Sequence, residues 1–247
     1  MSGLGEVWRR RLDPEERYGL RVTLFAAAFL LVAVPFGILL EQVVRNGWLV
    51  RANTSAARHL HNRVADSPDA VQVLKVVTQL GDPVLFYVVV AVAAVVLLRR
   101  HRARLALFLV VTTAVGGLLD TAVKVAVSRS RPSLVDPVAT AAGKSFPSGH
   151  AMSSTVVYGA LLLVFLPYVA RRWRPAVVAG AVVVVLAVGF TRLALGVHYI
   201  SDVLGGYVLG LAWLAASTAA FSIWRVERGR PPVEPMEGLE PEAASLG

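Results

Sequence analysis

Cysteine is absent from this 247-residue chain. Disulfides and thiol-ligated metals are therefore excluded, and the redox compartment leaves no mark on the sequence. No internal repeat is evident either, so the usual sign of a transporter built from duplicated halves is missing. Carboxylates and histidines nowhere gather into an obvious metal cage, and no metal or other cofactor is expected. No cleavable leader is expected, because the first apolar run is too long for a leader core and no small-residue cleavage site follows it.

What the chain has in quantity is apolar surface. Hydrophobic residues make up 56% of it, and the mean hydropathy is +0.62. That composition belongs to a membrane protein, not to a soluble domain. The formal charge of +9 would suit a nucleic-acid partner. The basic residues, however, sit beside apolar runs, as arginines do at the cytoplasmic ends of membrane spans, and no nucleic acid is expected.

The runs predict six spans, at about 20–40, 84–98, 105–127, 149–169, 176–190 and 201–224. The expected fold class is all-α: a polytopic membrane protein with six transmembrane helices in one bundle. Between the first two spans, Leu60 and Val64, then Val73, Leu74, Val77 and Leu80, recur at helical spacing among charges. They predict short interfacial helices between spans one and two. The expected organisation is a cytoplasmic N-terminal segment at 1–19, a six-span domain at 20–226, and a tail at 227–247 that is too poor in apolar residues to order. Six spans put both termini on one side, together with the arginine groups at 9–11, 99–104, 171–174 and 225–230. The positive-inside rule makes that side cytoplasmic, in a multi-pass cell-membrane protein.

Three polar clusters lie at the opposite, extracytoplasmic ends. Lys124 stands near the end of the third run, with Arg131-Pro132 following. A lysine within a span is costly unless it reaches water or a partner, and Asp120 one turn earlier is a ready one. Pro147-Ser148-Gly149-His150 opens the fourth span. A helix start with glycine in its first turn is an anion site as well as an ordinary cap. A histidine there can move a proton to or from a departing oxygen. Arg192 closes the fifth span, and His198 and Asp202 follow at a spacing of four. On a helix, that spacing lets a carboxylate hold one ring nitrogen while the other attacks, although a capped helix start would look the same. Arg129 and Lys144 read as solvated loop charges, and Gly206 and Gly210 as a close helix contact.

Taken together, the clusters resemble those of the type 2 phosphatidic acid phosphatase family, the lipid phosphate phosphatases related to vanadium haloperoxidases. The family pattern of a lysine, six residues and Arg-Pro is met by Lys124 to Pro132. Pro-Ser-Gly-His is met unchanged at 147–150. The third pattern, Ser-Arg, five residues, His, three residues, Asp, is met from Thr191 to Asp202, with threonine in place of serine. The resemblance implies a metal-independent phosphatase acting on a membrane lipid with a phosphate or pyrophosphate head group, such as phosphatidate, phosphatidylglycerophosphate or undecaprenyl pyrophosphate. It implies that His198 is the nucleophile forming a phosphohistidine, that Asp202 orients it, and that His150 is the general acid and base. Lys124, Arg131, Ser148, Gly149 and Arg192 would bind the phosphate. Two other classes share some of these features: an anionic-lipid transporter or flippase, and a haloperoxidase holding vanadate in the same pocket.

Overall fold

The computed structural model describes residues 34, 36–44, 60, 62–64, 66–132 and 143–242. Most of the expected first span and the segment 1–19 lie outside the described residues. The described residues contain no named strand and six helices of eleven residues or more. These are α1 (Pro68–Thr78), α2 (Pro83–Arg99), α3 (Ala103–Val127), α4 (Gly149–Phe165), α5 (Arg174–Ala194) and α6 (Ile200–Glu227). A further helical stretch covers 36–44.

Helix starts follow local chemistry. Ser67 caps α1 and Asp82 caps α2, each followed by a proline at the first helical position. The Asp82 side chain accepts the Val84 N–H at 2.7 Å. Proline gives up no intrahelical hydrogen bond there, because the first N–H groups of a helix have no partner within it. A short 3₁₀ turn, Gln79–Gly81, joins α1 to α2, and the pair is bent by 41°.

Helices α3, α4 (with the turn after it), α5 (with the turn before it) and α6 are each long and apolar enough to cross a membrane. The bent α1–α2 pair makes a fifth span if it is counted as one. Segment 68–81, expected to lie along the interface, is helical and packs against α5. Helix α4 is central, packing against α3, α5 and α6.

The contact between α4 and α6 is close because α6 carries glycines there. A Cβ on Gly206 would lie 2.7 Å from the Ser148 carbonyl oxygen, and one on Gly210 would lie 2.9 Å from Thr155 Cβ. Side chains at these positions would force the helices apart.

The described part of the tail, residues 228–242, folds back on the bundle, with Leu239 fully buried. Pro167 has no N–H, so the Leu163 carbonyl one turn earlier lacks its helical donor. The Leu239 N–H supplies it at 2.8 Å. Buried Arg225 pairs with Glu242 at 2.8 Å, and Arg174 pairs with Glu237. Composition registers apolar area, and so gives no sign of contacts made by one leucine and several ion pairs.

Candidate active site

The third cluster is built on a turn. Helix α5 runs through Arg192 to Ala194, and Gly196 then takes φ 71°, a left-handed conformation that glycine adopts without strain. The turn folds back so that the Val197 and His198 N–H groups both donate to the Arg192 carbonyl, at 3.2 and 3.3 Å. His198 is thereby fixed against the end of the helix that carries Arg192.

Helix α6 begins only at Ile200, with Tyr199 as its cap. His198 therefore stands outside the helix, and the helical spacing argument reaches it only approximately. Its Nδ1 lies 3.4 Å from Asp202 Oδ2, a long contact. Asp202 also caps the helix, accepting the Tyr199 N–H at 2.9 Å. The capped-start and the histidine-holding readings of this carboxylate hold together.

The first cluster meets the third across the loop that leaves α3. Ser128 ends that helix at φ 51°. Beyond it, Arg131 donates from Nε to the Gly143 carbonyl at 3.1 Å and from Nη1 to the Val197 carbonyl at 3.0 Å. The same Nη1 is 3.0 Å from His198 Nε2. A guanidinium has no acceptor, so Nε2 must accept this bond. In the neutral ring the proton then sits on Nδ1, facing Asp202. Burial lowers the His198 pKa from 6.5 to about 4, with the charges of Arg131 and Arg192 adding to the fall and Asp202 opposing it. The ring is therefore neutral near pH 7, with the Nε2 lone pair directed at a guanidinium. Arg131 is itself lowered from its ordinary value, by burial, against the opposing charge of Asp202.

The second cluster joins through α4. The Ser148 N–H donates to the Asp202 backbone carbonyl at 2.9 Å. Ser148 is fully buried, and its Oγ has no hydrogen-bond partner among the described residues. Lys124 forms an ion pair with Asp120 and lies against Gly149, where an added Cβ would be 2.7 Å from its Nζ. The lysine is therefore both paired, as its position in a span requires, and placed at the start of α4.

Arg192 is buried. Its Nη1 donates to Thr78 Oγ1 at 3.0 Å, and its Nε has no hydrogen-bond partner among the described residues. The His150 ring lies under the α1–α2 bend, where a Cβ on Gly81 would be 3.1 Å from its Cδ2. His150 is within electrostatic range of Arg192, His198, Asp82 and Lys124. All eight expected residues (Lys124, Arg131, Ser148, Gly149, His150, Arg192, His198 and Asp202) thus gather around one region at the ends of α3, α4, α5 and α6.

Two further residues belong to the site that sequence reasoning does not find. Arg129, which reads as a solvated loop charge, is largely buried and forms an ion pair with Asp202. It also donates to Ser201 Oγ at 2.8 Å and lies 4.2 Å from the Tyr199 ring centre. Ser145, fully buried, donates from Oγ to Asp202 Oδ2, and its N–H donates to the Arg129 carbonyl at 2.9 Å. Nothing in the sequence separates these two from neighbouring loop arginines and serines, since their partners lie 57 and 73 residues away. Lys144 is exposed, as expected of a solvated charge.

Chemically, the region offers an uncharged imidazole of fixed tautomer, a second imidazole nearby, and three cations converging on a helix start. Such a helix start carries partial positive charge and favours an anion.

Residues 105–225 match the PAP2 superfamily. Over 97 residues the chain is 38% identical to phosphatidylglycerophosphatase B of Bacillus subtilis (strain 168), a match covering 38% of this chain and 47% of that one. Over 121 residues it is 34% identical to lipid A 1-phosphatase of Rhizobium etli, covering 45% of this chain and 48% of that one. The chain thus spans about half the length of the curated relatives it matches. Its fold is similar to the crystal structure of a transmembrane PAP2 type phosphatidylglycerolphosphate phosphatase from Bacillus subtilis, with a TM-score of 0.70 and 25% identity. That likeness covers 77% of this chain and 94% of the other.

Proposed function

We propose, from the membership of residues 105–225 in the PAP2 superfamily, that this chain is an integral-membrane phosphatase that hydrolyses a lipid phosphate monoester or pyrophosphate through a phosphohistidine. The observation that carries the reading is the 3.0 Å contact between Arg131 Nη1 and His198 Nε2, with Asp202 on the other ring nitrogen. It leaves a neutral nucleophile whose attacking lone pair already faces a phosphate-binding cation.

In the first step Nε2 of His198 attacks phosphorus, and the bond from phosphorus to the leaving oxygen breaks. His150, protonated to the imidazolium beside the bound phosphate anion, gives that oxygen its proton and becomes neutral. The imidazolium formed at His198 is stabilised by Asp202 through Nδ1–H. In the second step water attacks the phosphohistidine, His150 takes the water's proton, and the N–P bond breaks to release phosphate and neutral His198. Arg131 turns its Nη1 from Nε2 to a phosphoryl oxygen when the substrate enters. Arg192 Nε, Ser148 Oγ and the Gly149 N–H bind the remaining oxygens, and Lys124 supplies a further positive charge beside them. No metal takes part in this scheme.

The substrate classes that fit are phosphatidate, phosphatidylglycerophosphate and a polyprenyl pyrophosphate such as undecaprenyl pyrophosphate. The names of the relatives support a lipid phosphate in general. The site belongs at the extracytoplasmic face, with the arginine-rich connections and both termini in the cytoplasm. Thr78 and Gly81 of the α1–α2 bend touch Arg192 and His150, so this segment stands where a head group would be selected.

The test is phosphate release from these three lipids by purified protein, with and without EDTA, beside His198→Ala. Activity on at least one lipid that survives EDTA and falls at least about 1,000-fold in the variant is expected. A fully active His198→Ala protein would end the mechanism, and loss of activity on chelation would contradict the metal-free scheme.

A further inference from the structure

A second feature lies at the far end of the same two helices. Arg104 is in the first turn of α3 and Trp224 in the last turn of α6, each about 30 Å along its helix from Lys124 or Asp202. Between α3 and α6 there is a groove of about 410 Å³, walled by Leu107, Phe108, Val111, Trp213, Phe221 and Trp224. The Trp213 Nε1–H donates to the Thr112 carbonyl at 2.7 Å, joining the two helices along the groove. Phe108, Phe221 and Trp224 form a run of ring contacts at 5.4 and 5.5 Å. Leu107 and Val111 are 64% and 45% exposed on a helix long enough to span a membrane, so this side of the groove opens towards lipid tails. Ser217 also lines the groove, and its Oγ has no hydrogen-bond partner among the described residues.

The mouth of the groove is cationic. The guanidinium carbons of Arg104 and Arg228 lie 5.0 and 5.5 Å from the centre of the one Trp224 ring. Both arginines are exposed, and among the described residues neither has a carboxylate partner. Arg225 and Arg230 next to them are paired with acids of the tail. Two like charges on one ring, neither with a carboxylate partner among the described residues, favour an anion at that end of the groove.

We propose that this groove is a binding site for an anionic phospholipid of the leaflet opposite the phosphate site, with an acyl chain along Phe108, Trp213 and Phe221 and the head-group phosphate between Arg104 and Arg228. It is separate from the catalytic region and does not depend on the phosphatase reading. Charge complementarity selects the occupant: a zwitterionic lipid fills the groove equally well but brings no net negative charge to two unpaired guanidiniums.

The test uses full-length protein in phosphatidylcholine vesicles containing a small equal fraction of acyl-brominated lipid, either phosphatidylserine or phosphatidylcholine. Bromine quenches tryptophan fluorescence only near contact. Quenching about fivefold stronger by the brominated phosphatidylserine is expected. Arg104→Gln with Arg228→Gln removes that excess, and Trp213→Phe with Trp224→Phe removes the quenching that carries it. The arginine variant keeps the parent's elution volume and unfolding midpoint in detergent, which shows that it folds. Equal quenching by the two lipids, or an excess that survives in the arginine variant, overturns the proposal. So does the absence of quenching by either lipid together with cross-links between copies through Trp224, because the occupant would then be a second chain.

Discussion

The two sides of the candidate site differ in how completely their polar groups are satisfied. On one side, the buried Asp202 carboxylate accepts from the Tyr199 N–H, the Ser145 hydroxyl, Arg129 and His198 Nδ1. On the other side, Ser148 Oγ and Arg192 Nε are buried donors with no hydrogen-bond partner among the described residues. A buried unpaired donor is unfavourable, and native proteins keep few of them. The Asp202 carboxylate is part of a scaffold completed by folding, whereas Ser148 Oγ and Arg192 Nε, and beside Asp202 the Arg129 Nη2, are buried donors left open for an anion. Asp202 belongs mainly to the scaffold, since its contact with His198 is long at 3.4 Å.

The comparison is tested hardest at Arg129. Arg129→Gln leaves the Asp202 carboxylate buried without its cation, and breaking such a pair costs about 3–5 kcal/mol. A lower unfolding midpoint in detergent is expected, together with a fall in kcat and little change in KM. Arg129→Lys should restore part of both. A variant with parental stability would move Asp202 out of the scaffold.

The next effect is linkage at His198. Its pKa is about 4 in the fold against 6.5 for an ordinary histidine, so the unfolded chain binds more protons between those values. Stability from this residue is complete above about pH 6.5 and declines as the pH falls towards 4, by about 3 kcal/mol in all. Unfolding of the parent and His198→Gln from pH 7 to pH 4 measures it, and the two should converge as the pH falls. Parallel curves would mean that His198 is not held neutral.

The smallest effect is expected at Ser148. Removing an unpaired hydroxyl breaks no bond in the free protein, so Ser148→Ala should leave the unfolding midpoint within error. KM for the phosphorylated lipid, or the inhibition constant of vanadate, should rise about tenfold as one phosphate contact is lost. A large loss of stability would place Ser148 with the scaffold.

Much of this site is legible in the order of residues alone. The sequence expects Pro147-Ser148-Gly149-His150 to open a span, and α4 begins at Gly149. The Gly206 and Gly210 pair signals the close helix contact that the fold contains. The contacts of the described tail residues are not legible, because they use a proline-freed carbonyl and distant arginines, neither of which composition registers.

By itself the sequence determined what short-range geometry controls: which runs are apolar enough to span a membrane, where helices begin, and which polar residues stand at the same ends. Helical rise and turn fix those placements within a few residues. Tertiary structure alone decided that Arg129 and Ser145 saturate Asp202, that Arg131 sets the tautomer of His198, and that Lys124 lies against Gly149. Apart from the last, these contacts join residues 57 to 73 positions apart, and even Lys124 and Gly149 belong to different helices. They depend on which helices meet: the Gly206 and Gly210 pair announces a close contact, but only the fold makes α4 the helix that fills it.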